Sequence, residues 1–210
     1  MDGTLMDTNY LHCLAWSRAF ADAGEWAPMN AIHRLIGMGG DQLVPKLLGH
    51  ESPAATAARP RRYSELKSEI KAFPCSRELV HRIHDLGLAV VLATSAPAAE
   101  LAELRKVLDA DDAIDEQTSA DDVAKSKPDP EVFVTAMENA RIDPRRALAI
   151  GDSVWDIRAA RSAGIACITV ETGGFSQHEL SEAGSVRVYR DVSELLSQLL
   201  TSPIASLLAS

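Results

Sequence analysis

The chain has 210 residues, of which 46% are hydrophobic and 24% are charged, and its formal net charge is −9. This length suits one ordinary domain plus a smaller one, and the composition excludes wholesale disorder. The negative charge argues against nucleic acid as a partner, because binding to phosphate backbones requires clustered Lys and Arg.

Two further exclusions follow from the pattern of residues. No apolar run reaches the ~20 residues that a membrane helix requires, so we expect no membrane partner. Asp2 and Asp7 stand where a signal peptide would carry basic residues, which argues against a leader. The cysteines are three in number and scattered along the chain, as is typical of reduced thiols. The sequence therefore predicts a cytoplasmic protein.

The first third of the chain has a helical pattern throughout. One face of a first helix carries Cys13, Trp16, Phe20 and Ala23, and Gly24 ends it. Further helices are predicted over residues 30–36, 42–48 and 63–73, with a turn at 37–40 and a solvated basic run at 59–62 that begins a helix.

After residue 76 the pattern alternates between helices and apolar strands. Helices are predicted around 79–86 and over 98–108, 130–140, 154–163 and 192–200, and strands over 88–93, 147–150, 166–170 and 186–189. This alternation predicts an α/β fold with a doubly wound parallel sheet. We expect residues 1–10 and 77–210 to form the α/β core, and residues 11–76 to form an inserted all-helical cap.

Four polar motifs lie at or near the ends of predicted strands. In a parallel sheet the carboxyl ends of the strands lie at one edge, and ligands bind at that edge. A hydroxyl beside a helix amino terminus can bind phosphate, a fixed lysine can offset crowded negative charge, and carboxylates suit Mg²⁺. Three of the motifs also have a plain structural explanation: a turn, a helix cap and an acidic helix start. The motifs are Asp2-Gly3-Thr4, Thr94-Ser95, Lys127-Pro128-Asp129-Pro130 and Asp152 with Asp156.

In this order the four motifs resemble those of the haloacid dehalogenase-like (HAD) superfamily, over nearly the whole chain. Their layout is similar to the phosphoglycolate phosphatase and β-phosphoglucomutase branch, which implies a Rossmannoid core with a helical cap. The family's opening motif is Asp-x-Asp-Gly-Thr at the end of a central strand, and Met1 stands at its x position. The nucleophilic aspartate is absent from these residues, so we hypothesise that the natural protein starts upstream of Met1.

The resemblance implies a role for each matching residue. Asp2 would shuttle a proton and offer its backbone carbonyl to Mg²⁺, and Asp152 would bind the metal directly. Lys127 would reach both the nucleophile and the phosphate, and the Thr94 hydroxyl would donate to a phosphate oxygen, so that both count with Asp2 as catalytic residues. Asp156 would orient the metal shell or Lys127. Further phosphate contacts would come from Gly3, Thr4 and the backbone N–H of Ser95.

The implied function is Mg²⁺-dependent hydrolysis of a small phosphorylated metabolite through an aspartyl-phosphate intermediate. Two alternatives stay open: a pseudo-phosphatase that only binds a phosphorylated ligand, and a phosphosugar mutase. Among other polar residues, His12 is a candidate to face the substrate. His33, Arg34 and the turn at 37–40 are candidates to contact the leaving group. Lys125, His81 and His84 are expected on the surface, and no pattern predicts the oligomeric state.

Overall fold

The structure, a computed structural model, describes residues 1–209. Its first third contains four helices that pack around a shared apolar cluster including Trp16, Phe20 and Leu43. The helices are α1 (Asn9–Asp22), α2 (Met29–Leu35), α3 (Gly40–Leu48) and α4 (Pro53–Ser64).

Helix α4 shows where the sequence analysis was wrong. The prediction placed a helix over residues 63–73, but α4 ends at Ser64 and only the short 3₁₀ helix Lys67–Glu69 follows. Pro53 begins the helix, a position that tolerates proline because its missing N–H would be unpaired there. The basic run at 59–62 therefore lies in the last turns of a helix rather than at its start.

The rest of the chain alternates strictly between helices and parallel strands. The polar strand β2 and the short helix α9 were not predicted, because neither carries an apolar run long enough to give a pattern. The elements are α5 (Ser76–Asp85), β1 (Val91–Ala93), α6 (Ala98–Leu108), β2 (Glu116–Thr118), α7 (Glu131–Ala140), β3 (Leu148–Gly151), α8 (Val154–Ser162), β4 (Ala166–Val170), α9 (Gln177–Ala183), β5 (Arg187–Tyr189) and α10 (Val192–Ser197). Short 3₁₀ helices lie at Asp111–Ala113, Ala120–Asp122, Pro144–Arg146, Glu171–Gly173, Leu199–Thr201 and Pro203–Ala209.

The strands confirm the predicted α/β class with parallel pairing, but they form two sheets rather than one. Strand β1 pairs with β2, and β3 pairs with β4, which pairs with β5. Strand β1 is also shorter than the predicted 88–93, because its ladder with β2 begins at Val91, although Asp115 N donates to the Val90 carbonyl at 2.9 Å just before it. Between β1 and β3 lies an apolar cleft of about 500 Å³.

The opening residues are held against the core by backbone bonds. Met6 forms an antiparallel bridge with Ala72, and the Ser76 hydroxyl donates to the Leu5 carbonyl at 2.8 Å. Both Leu5 and Met6 are buried in the main apolar cluster. This anchoring fixes the loop that carries Asp2, Gly3 and Thr4 at the edge of the sheet.

Candidate active site

The polar motifs predicted from the sequence meet at the carboxyl ends of the parallel strands. A pocket of about 330 Å³ lies there, between the core and the first four helices. Gly3 and Thr4 are buried behind Asp2 and contact the Asp152 carboxylate. The motif residues that line the pocket are Asp2, Thr94, Ser95, Lys127, Asp152 and Asp156.

Asp2 is held by donors from the beginning of α1 and from the end of β1. Thr8 Oγ1 donates to its Oδ1 at 2.6 Å, His12 Nε2 lies 2.9 Å from the same oxygen, and Thr94 Oγ1 lies 3.5 Å from Oδ2. Burial alone would raise the pKa of Asp2, but His12, the positive charge of the Met1 amino group and the Thr8 hydroxyl outweigh it and hold that pKa well below its usual range. Asp2 therefore rests as a carboxylate.

Arg59 of α4 fixes the orientation of the His12 ring. Its Nη2 lies 2.7 Å from His12 Nδ1, the guanidinium forms an ion pair with Glu100, and His12 stacks on Tyr63. Because a guanidinium only donates hydrogen bonds, His12 Nδ1 must accept, so Nε2 carries the proton that is donated to Asp2. The expectation that Arg59 belongs to a solvated run is wrong, because its side chain is only 12% exposed.

We expect Arg59→Met to destabilise the protein by about 1–3 kcal/mol, because it leaves the buried Glu100 carboxylate without its partner. The matched control is Arg61→Met on the same helix. The Arg61 side chain is 66% exposed and pairs with Asp22, so its loss should cost under ~1 kcal/mol. Urea unfolding of both variants makes the comparison, and equal losses would contradict the buried network.

Lys127 and Asp156 form a buried ion pair. Lys127 Nζ lies 2.8 Å from Asp156 Oδ1, and Asp156 Oδ2 accepts from the Ser153 hydroxyl at 2.5 Å. Ser153 and Asp156 together cap α8, which sets this geometry locally. Burial would raise the pKa of Asp156, but the Lys127 charge holds it below its usual range. Asp156 thus contacts Lys127, one of its two predicted partners, and its part in a metal shell stays a prediction.

Asp152 is enclosed by neutral donors and closely packed glycines. Thr4 Oγ1 donates to its Oδ1 at 2.8 Å, and Asn9 Nδ2 donates to its Oδ2 at 3.0 Å. A Cβ at Gly3 or Gly173 would lie 2.2 or 2.1 Å from Oδ2, so only glycine allows this approach. Burial and the neighbouring Asp156 raise the pKa of Asp152 to about 7.

This raised pKa predicts how stability depends on pH. The unfolded carboxyl loses its proton near pH ~4, whereas the native one keeps it up to about 7, so the native state binds more protons in that window. The contribution of Asp152 to the free energy of unfolding of the metal-free protein should therefore fall as pH rises from 4 to 7, by at most ~1.4 kcal/mol per pH unit. Asp152→Asn should flatten the slope measured by urea unfolding, and an unchanged slope would contradict the assignment.

The donor set matches part of what Mg²⁺ requires. Within residues 1–209, no group of three or more His, Cys, Asp and Glu side chains is arranged to hold a metal ion. Asp152 offers a carboxylate that burial makes costly to ionise, and a cation beside it would offset that cost. Because Mg²⁺ takes oxygen ligands and usually keeps several waters, Asp152 and the Asp2 carbonyl fit as a partial ligand set.

The other polar candidates divide between the pocket and the surface. The turn at 37–40 lines the pocket, as do His12 and Arg59. His33 and Arg34 instead bind the core elsewhere, through the Gly173 carbonyl and Glu179. The expectation that these two contact the leaving group is therefore not supported by their placement. Exposed or half-exposed positions hold Lys125, His81 and His84.

Several pocket residues were missed by the sequence analysis. Asn9 belongs to the first turn of α1 and bonds Asp152, which lies 143 positions later in the chain. Trp16 and Thr56 line the pocket from α1 and α4. Helical spacing could have shown that Asn9, Cys13 and Trp16 share a face, but not that this face meets the sheet edge.

Comparison with known proteins identifies the family. Residues 1–164 match the family model of haloacid dehalogenase-like hydrolases. The chain is 30% identical to Protein CbbY of Cereibacter sphaeroides over 98% of its own length and 96% of that protein. It is 29% identical to the phosphorylated carbohydrates phosphatase of Thermotoga maritima over 95% of both chains. Among solved structures, a hydrolase from Pseudomonas syringae superposes with a TM-score of 0.88 at 30% identity, covering 94% of each chain.

The chain belongs to the haloacid dehalogenase-like hydrolases. The resemblance seen in the sequence motifs is thereby confirmed, as is the assignment to an enzyme family whose relatives include phosphatases. In the part of the chain that the structure describes, no helix is both long and apolar enough to cross a membrane.

Proposed function

We propose that the protein is a Mg²⁺-dependent phosphate-monoester hydrolase that acts on a small phosphorylated metabolite. The observation that carries this proposal is the meeting of Asp2, Lys127 and Asp152 in one pocket with the Thr94 hydroxyl. Ser95 Oγ is buried in the same pocket and has no hydrogen-bond partner in the described residues. A bound phosphate oxygen would supply the missing partner.

The environment of Asp2 suits a residue that gives and takes one proton. Its low pKa keeps it ionised in the resting site, ready to take a proton from a water that attacks an aspartyl-phosphate. A phosphate dianion bound beside it would raise its pKa, because a nearby like charge disfavours ionisation. Asp2 could then protonate the leaving alcohol in the first step and recover the proton from water in the second.

Mg²⁺ would neutralise negative charge on the phosphate when bound beside Asp152. Lys127 supplies a second, permanent positive charge, and its ammonium group is held in place by the Asp156 carboxylate. We propose that the attacking carboxylate precedes Met1 in the sequence, since Met1 itself lines the pocket next to Asp2. Attack by this carboxylate on phosphorus forms the acyl phosphate and breaks the bond to the leaving oxygen.

The hydrolase is better supported than a phosphosugar mutase. A bisphosphate requires a second cationic subsite on the cap side of the pocket. Among the described residues that line it there, the guanidinium of Arg59 is already paired with Glu100. A phosphorylated carbohydrate with a neutral leaving group fits this arrangement, and the relative from Thermotoga maritima is named for such substrates.

A cytoplasmic location is proposed from three free cysteines.

The proposal is tested by adding a short apolar segment ending in aspartate directly before Met1. We expect this extended protein to hydrolyse p-nitrophenyl phosphate only when Mg²⁺ is present, and a version ending in asparagine to be inactive. Binding without turnover in both versions would favour a pseudo-phosphatase. Turnover by the 210-residue chain alone would show that a different nucleophile operates.

A further inference from the structure

A side chain of α2 holds the turn that packs against Asp152. His33 belongs to α2, and its Nε2 lies 2.9 Å from the backbone oxygen of Gly173, 140 positions later in the chain. Because a carbonyl only accepts hydrogen bonds, His33 Nε2 must carry the proton that is donated. Gly173 is the last residue of the 3₁₀ helix Glu171–Gly173, which follows β4. The bond therefore ties α2 to the core directly beside Asp152.

The Gly173 carbonyl is shared with a residue that binds the Asp152 carboxylate. Asn9 Nδ2 lies 3.4 Å from the Gly173 oxygen and donates to Asp152 Oδ2 at 3.0 Å. Gly173 also packs so closely on Asp152 that an added Cβ would lie 2.6 Å from the backbone oxygen of Asp152. A shift of Gly173 would therefore disturb both the amide that donates to the carboxylate and the surface that encloses it.

The imidazole ring of His33 and the turn fix each other in place. Tyr10 stacks on the ring, with the two ring centroids 5.0 Å apart. At Gly174, where φ is +83°, an added Cβ would lie 2.6 Å from His33 Cε1, so the turn passes directly over the ring. The Thr172 hydroxyl donates to the Gly3 carbonyl at 2.6 Å, which fastens the turn to the opening loop as well.

The neighbouring residue on α2 contacts the core without touching Gly173. Arg34 pairs with Glu179, and its backbone oxygen accepts from Trp155 Nε1 at 3.1 Å. The side chains of Arg34 and Glu179 are 45% and 35% exposed, so this pair can be removed without opening a buried site. Docking of α2 on the core and positioning of Gly173 can therefore be separated by mutation.

We propose that His33 is a positioning residue for Asp152: it fixes the Gly173 carbonyl from α2, and through it the Asn9 amide, so that the carboxylate is held ready for Mg²⁺. This inference rests on the proposed function, because that function assigns Mg²⁺ to Asp152. Loss of a group directly behind a metal ligand typically weakens metal binding by about 10–100-fold, and His33 lies one contact further away, so we expect about tenfold. By linkage, Mg²⁺ at Asp152 strengthens the contact between His33 and Gly173 by the same factor.

The test compares His33→Leu with His33→Gln in the full 210-residue chain. Both variants lose the ring that stacks on Tyr10, but only glutamine keeps an N–H that can reach the Gly173 carbonyl. Without metal, His33→Leu should speed hydrogen exchange of the Gly174 backbone amide and of the Asn9 side-chain amide about tenfold, and leave the amides of β5 unchanged. Isothermal titration with Mg²⁺ alone should show about tenfold weaker binding in His33→Leu, and His33→Gln should restore most of both properties.

Arg34→Met is the matched control, since it weakens docking of α2 but keeps the bond to Gly173. It should change the exchange rates and the Mg²⁺ affinity by no more than about twofold, as expected for a partly exposed pair. Equal effects of Arg34→Met and His33→Leu, or values in His33→Leu like those of the parent chain, would overturn the positioning role. Faster exchange with unchanged Mg²⁺ affinity would overturn it too.

Failure of the proposed function gives a different result. A parent chain that binds no Mg²⁺ would count against that function, and the exchange rate of the Asn9 side-chain amide, which donates to Asp152, would then decide the positioning role. Faster exchange of this amide in His33→Leu, restored in His33→Gln, would support the role, and an unchanged rate would overturn it.

Discussion

Replacing Lys127 with methionine is expected to destabilise the protein by about 3–5 kcal/mol at pH 7, the range for breaking a buried ion pair by removal of one partner. The side chains of Lys127 and Asp156 are 7% and 8% exposed, so Asp156 would remain charged without a partner. Asp152 shares the same pocket, and its nearby carboxyl adds to the cost. Urea unfolding of the variant and the parent protein measures the loss.

The control for this variant is Lys125→Met, two residues earlier and exposed to solvent. It should change stability by less than ~0.5 kcal/mol, as is usual for surface substitutions. The loss of unfolding free energy in Lys127→Met should also shrink as pH falls, because protonation of Asp156 removes the unpaired charge. A deficit below ~1 kcal/mol, or one independent of pH, would show that Lys127 does not balance these carboxylates.

We tie this prediction to the protein extended by the apolar segment that ends in aspartate directly before Met1. In that protein, Asp2→Asn is expected to lower kcat by a factor of about 10²–10⁴, which is the usual contribution of a positioned acid or base. Asparagine still accepts a hydrogen bond from Thr8, so the fold and phosphate binding should change little. The loss should therefore appear in kcat rather than in KM. Steady-state kinetics with p-nitrophenyl phosphate measures it.

Asp7→Asn is the matched control, since Asp7 lies in the same loop but is exposed. It should keep kcat within about twofold of the parent value, because a surface carboxylate away from the pocket moves no proton in the reaction. Retention of full activity in Asp2→Asn would remove Asp2 from the proton transfer. The shuttle would then have to be another group in the pocket, with His12 as the nearest candidate.

The sequence allowed the core of the site to be predicted because its main residues directly follow apolar strands. Thr94 comes after β1 and Asp152 comes after β3, and parallel strands bring their carboxyl ends to one edge. Lys127 was predicted from its Lys-Pro-x-Pro context and lies in the same pocket. In each case the information is local, within a few residues of a strand or a turn.

The contacts that the sequence did not predict are long-range. Arg59 contacts His12 and Glu100, which lie 47 and 41 positions away in the chain, so its role depends on how α4 packs against α1 and α6. Asn9 reaches Asp152 only after the opening loop has docked on the sheet edge. Hydrophobic periodicity gives the face of a helix but not its neighbour, so these partners require the assembled fold. The boundaries of core and cap at residues 10 and 76 stay a prediction.

The division of the sheet follows from the same physical reasoning. The apolar run at 88–93 predicts a strand covered on both faces and paired on both edges. With a partner on only one edge, the ladder extends over Val91–Ala93, and the preceding residues stay outside it. The run at 147–150 likewise retains half-buried Leu148 and Ile150 beside the cleft. Both runs have the apolar composition of strands from the centre of a sheet, but no strand pairing joins them among residues 1–209.

The central claim is that one phosphate and one Mg²⁺ are held together by Lys127, Thr94, Asp2 and Asp152. Isothermal titration of inorganic phosphate into the 210-residue chain, with and without Mg²⁺, tests it directly and requires no turnover. We predict that Mg²⁺ strengthens phosphate binding at least tenfold, that phosphate strengthens Mg²⁺ binding by the same factor, and that Asp152→Asn abolishes this coupling. Phosphate binding that is indifferent to Mg²⁺, or coupling that survives in Asp152→Asn, would contradict the account.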